Sequence, residues 1–475
     1  MKMIKALFFL SVFLGGCTVG PKYEPPGMEM PTQWHSTTEE GMNAEPLDCF
    51  LWWKSLNDPL LNSLIEQASL QNLDVQIAIS RILEARAAKK GISAQLYPHI
   101  DGTINYGHVQ YNNKILKDIL GASCIDHHRK RNVNFFEIGF DAEWEIDLFG
   151  KTTHELNAAR AEIGSSIESL RDLMVSLTAE IAKNYIEIRG SQHLLDIAKS
   201  HIQTQKETTL LTTGLFEAGF TSIIDQWQTE EQLMLLESEI PMLELSIEKG
   251  IHRLSILLGR PPAELFCVLR EHHDLPELPH YKPLGIPSAL LRNRPDIRRA
   301  ERNLAASTEK VGSAMADLFP RFSLRGFIGD VATHLSRSSF VWFAGPQLLA
   351  PIFNSKLIQQ DIDLNKIKTQ QALYQYQKTV LEALEETENT IASYHHELEH
   401  NRKLFSAMQF SGESYNQLFH LYQTGFKGYL EVLVSQRSLL STENAFLKSK
   451  IQLLMHYISL YKALGGGWET TCDDA

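Results

Sequence analysis

The sequence predicts a mixed, mainly α-helical fold built as a duplicated repeat, with a few long strands set between long helices. Three observations predict it. Two glycine turns of one design interrupt long helical patterns, at Gly219-Phe220 and Gly425-Phe426, and six residues after each glycine stands an acid, Asp225 or Glu431. Residues 74–98 align without gaps on residues 296–320, an offset of 222 (296 − 74). Residues 132–148 alternate between apolar and polar side chains, the period of a strand with two unlike faces.

The chain has 475 residues, a net charge of −12 and 43% hydrophobic residues. The charge argues against nucleic acid as a partner. The hydrophobic content argues against both a disordered chain and a polytopic helical membrane protein. No window offers the ~20 apolar residues of a spanning helix, so any membrane crossing belongs to a closed β-barrel.

The start reads as an address. Lys2 and Lys5 precede an apolar run, 6–14, too short to span as a helix, and then comes Leu14-Gly15-Gly16-Cys17. This resembles a bacterial lipobox. The resemblance implies a signal peptide, 1–16, removed before Cys17, and acylation of Cys17. Thr18 rather than Asp follows, which implies sorting to the outer membrane. Losing two lysines takes the charge from −12 to −14. Cys49, Cys124, Cys267 and Cys472 lack the close paired spacing of a zinc site; a Cys49–Cys472 pair and free thiols both stay open.

Residues 17–57, rich in Pro and Gly, predict an extended lipidated arm, with Trp52-Trp53 available to pack against the body. A helical pattern over 58–96 stops at Leu96-Tyr97-Pro98. Alternation begins at Ile100, Gly102, Ile104 and Tyr106. A polar, basic loop, 111–131, precedes the second strand. There Phe136, Ile138, Phe140, Ala142, Trp144, Ile146 and Leu148 share one face, and Glu137, Gly139, Asp141, Glu143, Glu145 and Asp147 the other. Gly150-Lys151-Thr152 is not a phosphate loop, because a Walker loop needs Gly where Glu145 stands; Gly150 reads as the hinge from strand to helix.

A helix is expected over 152–213, with Ile163, Ile167, Leu170, Met174, Leu177, Ile181, Asn184 and Ile188 on a 3.5-residue seam. At ~1.5 Å per residue it would run ~90 Å. After the Gly219 tip a return helix reaches Leu258-Gly259, with Pro241 as an expected kink. Residues 58–260 are thus repeat 1 and 261–290 a Pro-rich linker. Repeat 2, 291–465, brings a helix, strands at Phe322-Leu324-Gly326 and 339–353, and a second long helix through Val380, Leu384, Ile391, Tyr394 and Leu398. The Gly425 tip and a return helix follow, ending at Leu464-Gly465, which is Leu258-Gly259 plus 206 (464 − 258). A tail, 466–475, remains.

About four strands cannot close a barrel, so other copies are expected to complete it as a ring. Coiled-coil helices would continue such a barrel as a tube. Glu137, Asp141, Glu143, Glu145 and Asp147 would face its water-filled lumen.

Here a resemblance becomes specific. Cys17-Thr18-Val19-Gly20-Pro21-Lys22-Tyr23-Glu24-Pro25-Pro26 looks like the start of the NodT-like lipoproteins of the TolC outer-membrane efflux family. Gly285-Ile286-Pro287-Ser288-Ala289-Leu290-Leu291-Arg292-Asn293-Arg294-Pro295-Asp296-Ile297 is similar to their inter-repeat motif. Trp144-Glu145-Ile146-Asp147-Leu148-Phe149-Gly150-Lys151 resembles their strand-to-helix junction. The resemblance covers essentially the whole mature chain. It implies a homotrimer with a twelve-stranded outer-membrane β-barrel, four strands per chain, continued by an α-helical periplasmic barrel. It also implies a periplasmic adaptor (membrane-fusion) protein and an inner-membrane RND-type transporter as partners.

The family's gate carries over onto Tyr422, Gly425 and Glu431. Its second acidic position, three residues on, is Val434 here, a departure that weakens a two-ring gate. Asp225 is the counterpart acid in the first repeat, and Lys427 stands where some members carry a basic link. In a three-fold assembly each acid becomes three facing charges, relieved by a cation, by protonation or by opening. Asp225 and Glu431 are therefore expected to set cation preference, and Tyr422 and Lys427 to latch the closed state. Capping of solvated hairpins is the plainer role for the same residues. Gly219, Phe220, Gly425 and Phe426 would form the tips that meet the adaptor.

A passive duct needs no enzyme chemistry, cofactor or metal. The histidine pairs 127–128, 272–273 and 395–396 show no further ligands in sequence. Two rival readings are a duct for type I protein secretion, against which the lipidated start argues, and a coiled-coil scaffold without a pore. The acidic face of 132–148 argues against the scaffold.

Overall fold

A computed structural model describes residues 18–35, 51–112, 130–279, 293–333 and 336–468. Cys17, Cys49, Cys124, Cys472, His127, His128, residues 280–290 of the expected linker and residues 291–292 at the start of repeat 2 lie outside them.

A 3-10 turn, Trp52–Leu56, leads into α1 (Pro59–Gln71) and α2 (Leu73–Ala94). Strands β1 (His99–Asn112) and β2 (Lys130–Ile146) follow, then the long helix α3 (Lys151–Glu217) and its return, α4 (Ile223–Leu257). After the short α5 (Phe266–Leu269), the order repeats as α6 (Pro295–Ala316), β3 (Arg321–Thr333), β4 (Ser336–Leu349), α7 (Ser355–Gln423) and α8 (Tyr429–Ala463). The halves match in size: α2 and α6 have 22 residues each, and α4 and α8 have 35. The long helices have 67 and 69.

Three expected boundaries move. The helix over 58–96 is two helices, because Asn72 turns extended (ψ 131°) and its Oδ1 accepts from the Asp74 and Val75 amides. Strand β2 stops at Ile146 rather than Leu148, and β4 is Ser336–Leu349 rather than 339–353. Pro241 stands inside α4, which continues to Leu257.

The described residues pack as two compact units, and each draws on both halves of the sequence. One comprises Met1–Pro26, Ile82–Ser165 and Ala300–Tyr376; the other Gly27–Arg81, Ser166–Arg299 and Gln377–Ala475.

The first unit carries an antiparallel sheet in the order β1-β2-β3-β4. β1 and β2 are joined through residues 113–129, β3 and β4 through 334–335 alone. The β2–β3 ladder, which pairs Phe135 with Thr333 and Ile146 with Phe322, welds the two halves into one sheet. Trp144 fixes the start of the sheet by donating to Leu96 O (2.9 Å), and Phe149 stacks on Phe319 (4.8 Å).

The second unit has its core where the inner parts of α3, α4, α7 and α8 meet. Ile181, Ile186, Ile251, Leu254, Val380, Ile391, Leu454 and Ile458 are fully buried there. Of the expected α3 seam, Leu177, Ile181 and Ile188 lie in this core. Gly190 lets α8 come close, since a Cβ there would collide with the Ile451 side chain. Trp52 stacks on Tyr461 (5.6 Å), so Trp52 and Trp53 are core residues. Asp58 caps α1 by accepting from the Leu60 and Leu61 amides and takes the Tyr185 hydroxyl as well (2.6 Å). Burial, together with that bond, pushes the Tyr185 phenol up to about 12.

Repeat symmetry extends to single bonds. Asn72 Nδ2 donates to Leu257 O (2.8 Å), and Arg294, 222 residues on, donates to Ala463 O (2.8 Å), 206 residues beyond Leu257. Arg294 also grips Asp296 through Nε and Nη2 and Glu386 through Nη1. The Arg-Pro-Asp of the inter-repeat motif is thus a helix-end clamp.

Candidate functional site

Register sorts the sheet into two chemically opposite faces. Ile104, Ile138 and Phe340 lie on one face with Tyr106, Phe140, Ile328 and Trp342, all exposed in the single chain. Tyr106 is 74% exposed and Trp342 69%. An apolar band of this extent is not a surface for water. Asp330 interrupts it and accepts from Ser338 Oγ (3.1 Å).

Glu137, Asp141, Glu143 and Glu145 occupy the other face. Asn105 donates to Glu137 Oε1 (2.9 Å), and Arg325 donates to Glu143 Oε1 through Nε (3.0 Å) and Nη2 (2.9 Å). Asp141 lies directly across from Asp101, a like-charged pair that favours cations or solvent beside it. Asp147 is the exception. It stands past the end of β2, where its Oδ2 accepts from the Thr153 amide and hydroxyl (both 2.7 Å) at the start of α3. The chain turns there, because Leu148 N already bonds back to Ile146 O (2.9 Å).

Two features of this face escape simple alternation. Arg325 is one; its position among Arg321, Ser323 and Arg325 was the available signal. The other is Phe327, which stacks on Phe343 (6.2 Å) and lies over Gly139 and Gly329. Added Cβ atoms there would come within 2.7 Å and 2.8 Å of its ring.

The residues just after Cys17 are held against the strand-to-helix junction. Val19 N donates to Phe149 O (3.2 Å), and His154 bridges Val19 O (3.1 Å) and Glu309 Oε2 (2.6 Å). Gly150 takes φ +83°, and a Cβ on it would meet Thr18 at 2.8 Å. The hinge glycine therefore serves both the backbone turn and the docked arm.

Both tips use one geometry. Gly219 and Gly425 take φ +79° and +76°. Gly219 N bonds Phe216 O and Phe220 N bonds Leu215 O; Gly425 N bonds Tyr422 O and Phe426 N bonds Leu421 O. These are paired Schellman closures. Phe220 (81%) and Phe426 (79%) project into solvent.

The acids differ more than their spacing suggests. Asp225 is the third residue of α4 and completes a capping box, accepting from the Ser222 amide (3.2 Å) and from Thr221 Oγ1. Glu431 holds the same position in α8, but among the described residues it pairs with Lys427 (3.5 Å), both half-exposed. Tyr422 does not reach Lys427. It packs against Tyr429 (5.9 Å), and its hydroxyl is buried without a hydrogen-bond partner among the described residues.

Behind the tips lies a buried polar layer that gave no sequence signal beyond glutamines on the seams. Gln205 joins Thr229 O and Gln436, and Arg437 Nε donates to Gln232 Oε1 (2.9 Å). A second polar cluster surrounds His272, for which sequence spacing showed no further ligands. The fold brings His193, Asp196 and Asp274 to it.

Among the described residues, no helix is long and apolar enough to cross a membrane. The family model described as outer membrane efflux protein matches residues 64–260 and 286–466. Nodulation protein T of Rhizobium leguminosarum bv. trifolii is 30% identical over 465 residues, 97% of this chain and 96% of that one. The solvent efflux pump outer membrane protein SrpC of Pseudomonas putida is 27% identical, covering 99% of this chain and 100% of that one. The solved outer-membrane channel OprN superposes with a TM-score of 0.87 at 32% identity, over 95% of this chain and 100% of that one. With a sheet of one apolar and one acidic face and a duplicated helical hairpin, the chain belongs to the outer membrane efflux protein family.

Proposed function

We propose that this protein is the outer-membrane exit duct of a tripartite efflux pump, conducting small molecules such as drugs and toxic compounds passively from periplasm to exterior. The observation that carries the reading is the two-faced sheet. Its apolar band suits lipid, its acidic face suits a wet lumen, and β1 and β4 end the sheet with unpaired edges. Three copies pairing β4 to β1 make a closed barrel of twelve strands, which is the economical way to satisfy those edges in a membrane.

In this reading Cys17 carries the lipid, and the clamp of Thr18–Gly20 beside Phe149 and Gly150 supports an anchor held close to the base of the barrel. Phe220 and Phe426, exposed on glycine tips, are the contacts for a periplasmic adaptor, which joins the duct to an inner-membrane RND-type transporter. Glu431 forms the principal ring of facing charges at the periplasmic gate, with Asp225 secondary because capping already occupies its carboxylate. The buried Tyr422 hydroxyl finds its partner across a subunit boundary, and with Lys427 latches the closed state.

The test is accumulation of a fluorescent drug in cells with and without this protein, the cognate pump being present. Higher accumulation in the deletion strain supports the exit duct. Equal accumulation across a panel of pump substrates, with unchanged secreted protein, overturns it; loss of a secreted protein moves the reading to type I secretion.

A further inference from the structure

We propose that His193, His272 and Asp274 form a binding site for a divalent transition-metal ion of the zinc class, with Asp196 fixing the tautomer of His272. The site stands independently of the duct reading.

The four side chains come from two pieces of chain. His193 and Asp196 lie on α3, and His272 and Asp274 on the irregular segment after α5. One ligand atom from each of His193, His272 and Asp274 lies within 4.8 Å of the others. The two imidazoles are roughly parallel, with centroids 6.1 Å apart and planes at 24°.

Asp196 defines which nitrogen is available. Its Oδ2 sits 2.8 Å from His272 Nδ1, and a carboxylate there favours the tautomer with the proton on Nδ1. Nε2 is left with its lone pair, 3.8 Å from Asp274 Oδ1. Carboxylate to imidazole to metal is the usual way a protein orients a histidine ligand. His193 Nδ1 is buried without a hydrogen-bond partner among the described residues.

The segment does not need these groups to hold it in place. Arg189, fully buried, donates to Glu271 O (2.6 Å), and buried Gln192 donates to Leu269 O (2.7 Å). Arg189, Gln192, His193 and Asp196 follow helical spacing along one face of α3. The backbone clamp therefore delivers His272 and Asp274 to His193, and His272 stands between the carboxylates of Asp196 and Asp274.

The donor set selects the ligand class. Two imidazoles and one carboxylate suit zinc and its borderline neighbours rather than calcium or magnesium, which want oxygen throughout. Three protein ligands leave a fourth position for water. Metal–ligand bonds of ~2.0–2.1 Å place ligand atoms about 3.4 Å apart. The gap from 4.8 Å is within reach of rotation by His272 and Asp274, both exposed.

The experiment uses the full-length protein, stripped with chelator in detergent and titrated with Zn²⁺ alone by equilibrium dialysis. Wild type is expected to take up one high-affinity equivalent per chain. H193A and H272A should lose that equivalent, and D196N should weaken it roughly 10–100-fold. Cobalt in place of zinc should give visible absorption of a four-coordinate site in wild type and none in H272A. Should H193A fail to fold, H272A and D274N, at exposed positions, carry the same comparison. No saturable equivalent in wild type, or one that survives H272A and D274N, overturns the proposal.

Discussion

Gln436 Nε2 donates to Gln205 Oε1 at 2.9 Å, and both side chains are sealed from solvent where the helical hairpin of the first repeat meets that of the second. Gln205 also donates to Thr229 O (2.9 Å), so a single amide ties α3, α4 and α8 together just behind both tips. An apolar substitution on one side strands the polar groups on the other. Q205L should destabilise the protein by ~1–3 kcal/mol. The double variant Q205L/Q436L should cost less than the sum of the singles, by about 0.5–3 kcal/mol. Chemical unfolding of the detergent-solubilised protein measures both.

The tip glycines should behave as a matched pair. Each sits in the left-handed region with open space around it, so alanine meets backbone strain and no clash. G219A and G425A should each cost ~1–2 kcal/mol. Gly214, inside α3 and equally unobstructed, gives the opposite sign: G214A should stabilise by ~0.5–1 kcal/mol. Thermal unfolding of the three variants separates turn geometry from helix propensity.

The two acids should separate in different assays. D225N breaks a capping box and should lose ~0.5–2 kcal/mol of stability. E431Q removes only a half-exposed pair with Lys427, worth ~0.3–0.5 kcal/mol. In planar bilayers the order reverses, with E431Q shifting cation selectivity and conductance more than D225N. Unchanged single-channel behaviour in E431Q would sink the charge-ring reading.

The two sheet faces should answer differently to charge. F140R puts a cation into the apolar band and should cost ~2–4 kcal/mol near the bilayer midplane, falling toward either interface. The yield of assembled protein in the outer membrane reads this loss. E143Q, on the opposite face, releases Arg325 and should leave the yield intact while raising the anion share of the current.

Much of this was legible in the residues because strand and helix periods differ. Phe136 to Ile146 alternates over the second part of β2, and the register keeps its two sets of side chains apart. The offsets 222 and 206 recur in bonds as well as letters, at Asn72 and Arg294, at the tip closures of Gly219 and Gly425, and at Gly259 and Gly465, whose amides bond Ile256 O and Lys462 O. Boundaries were harder. Asn72 splits a helix that apolar spacing alone runs through, because its side chain can replace a backbone acceptor. Asp147 continues the alternation of β2 in sequence yet caps α3, since the chain has already turned at Leu148. What sequence could not give was proximity across long separations. Gln205 and Gln436 are 231 residues apart, and nothing local marks them, or His193 and His272, as neighbours.

The unequal strand connections have a consequence for how a cell carrying this protein meets its surroundings. At the strand ends away from α2, α3, α6 and α7, β1 and β2 are joined through residues 113–129, and β3 and β4 through only 334–335. Antibodies, bacteriophages and grazing proteases would encounter almost nothing of the second hairpin. The pressure to vary under attack then falls on a single segment of each chain, one that carries Lys114, Lys117, His127, His128 and Arg129. Sequence drift among strains should concentrate there, and an epitope inserted into it should be recognised on intact cells.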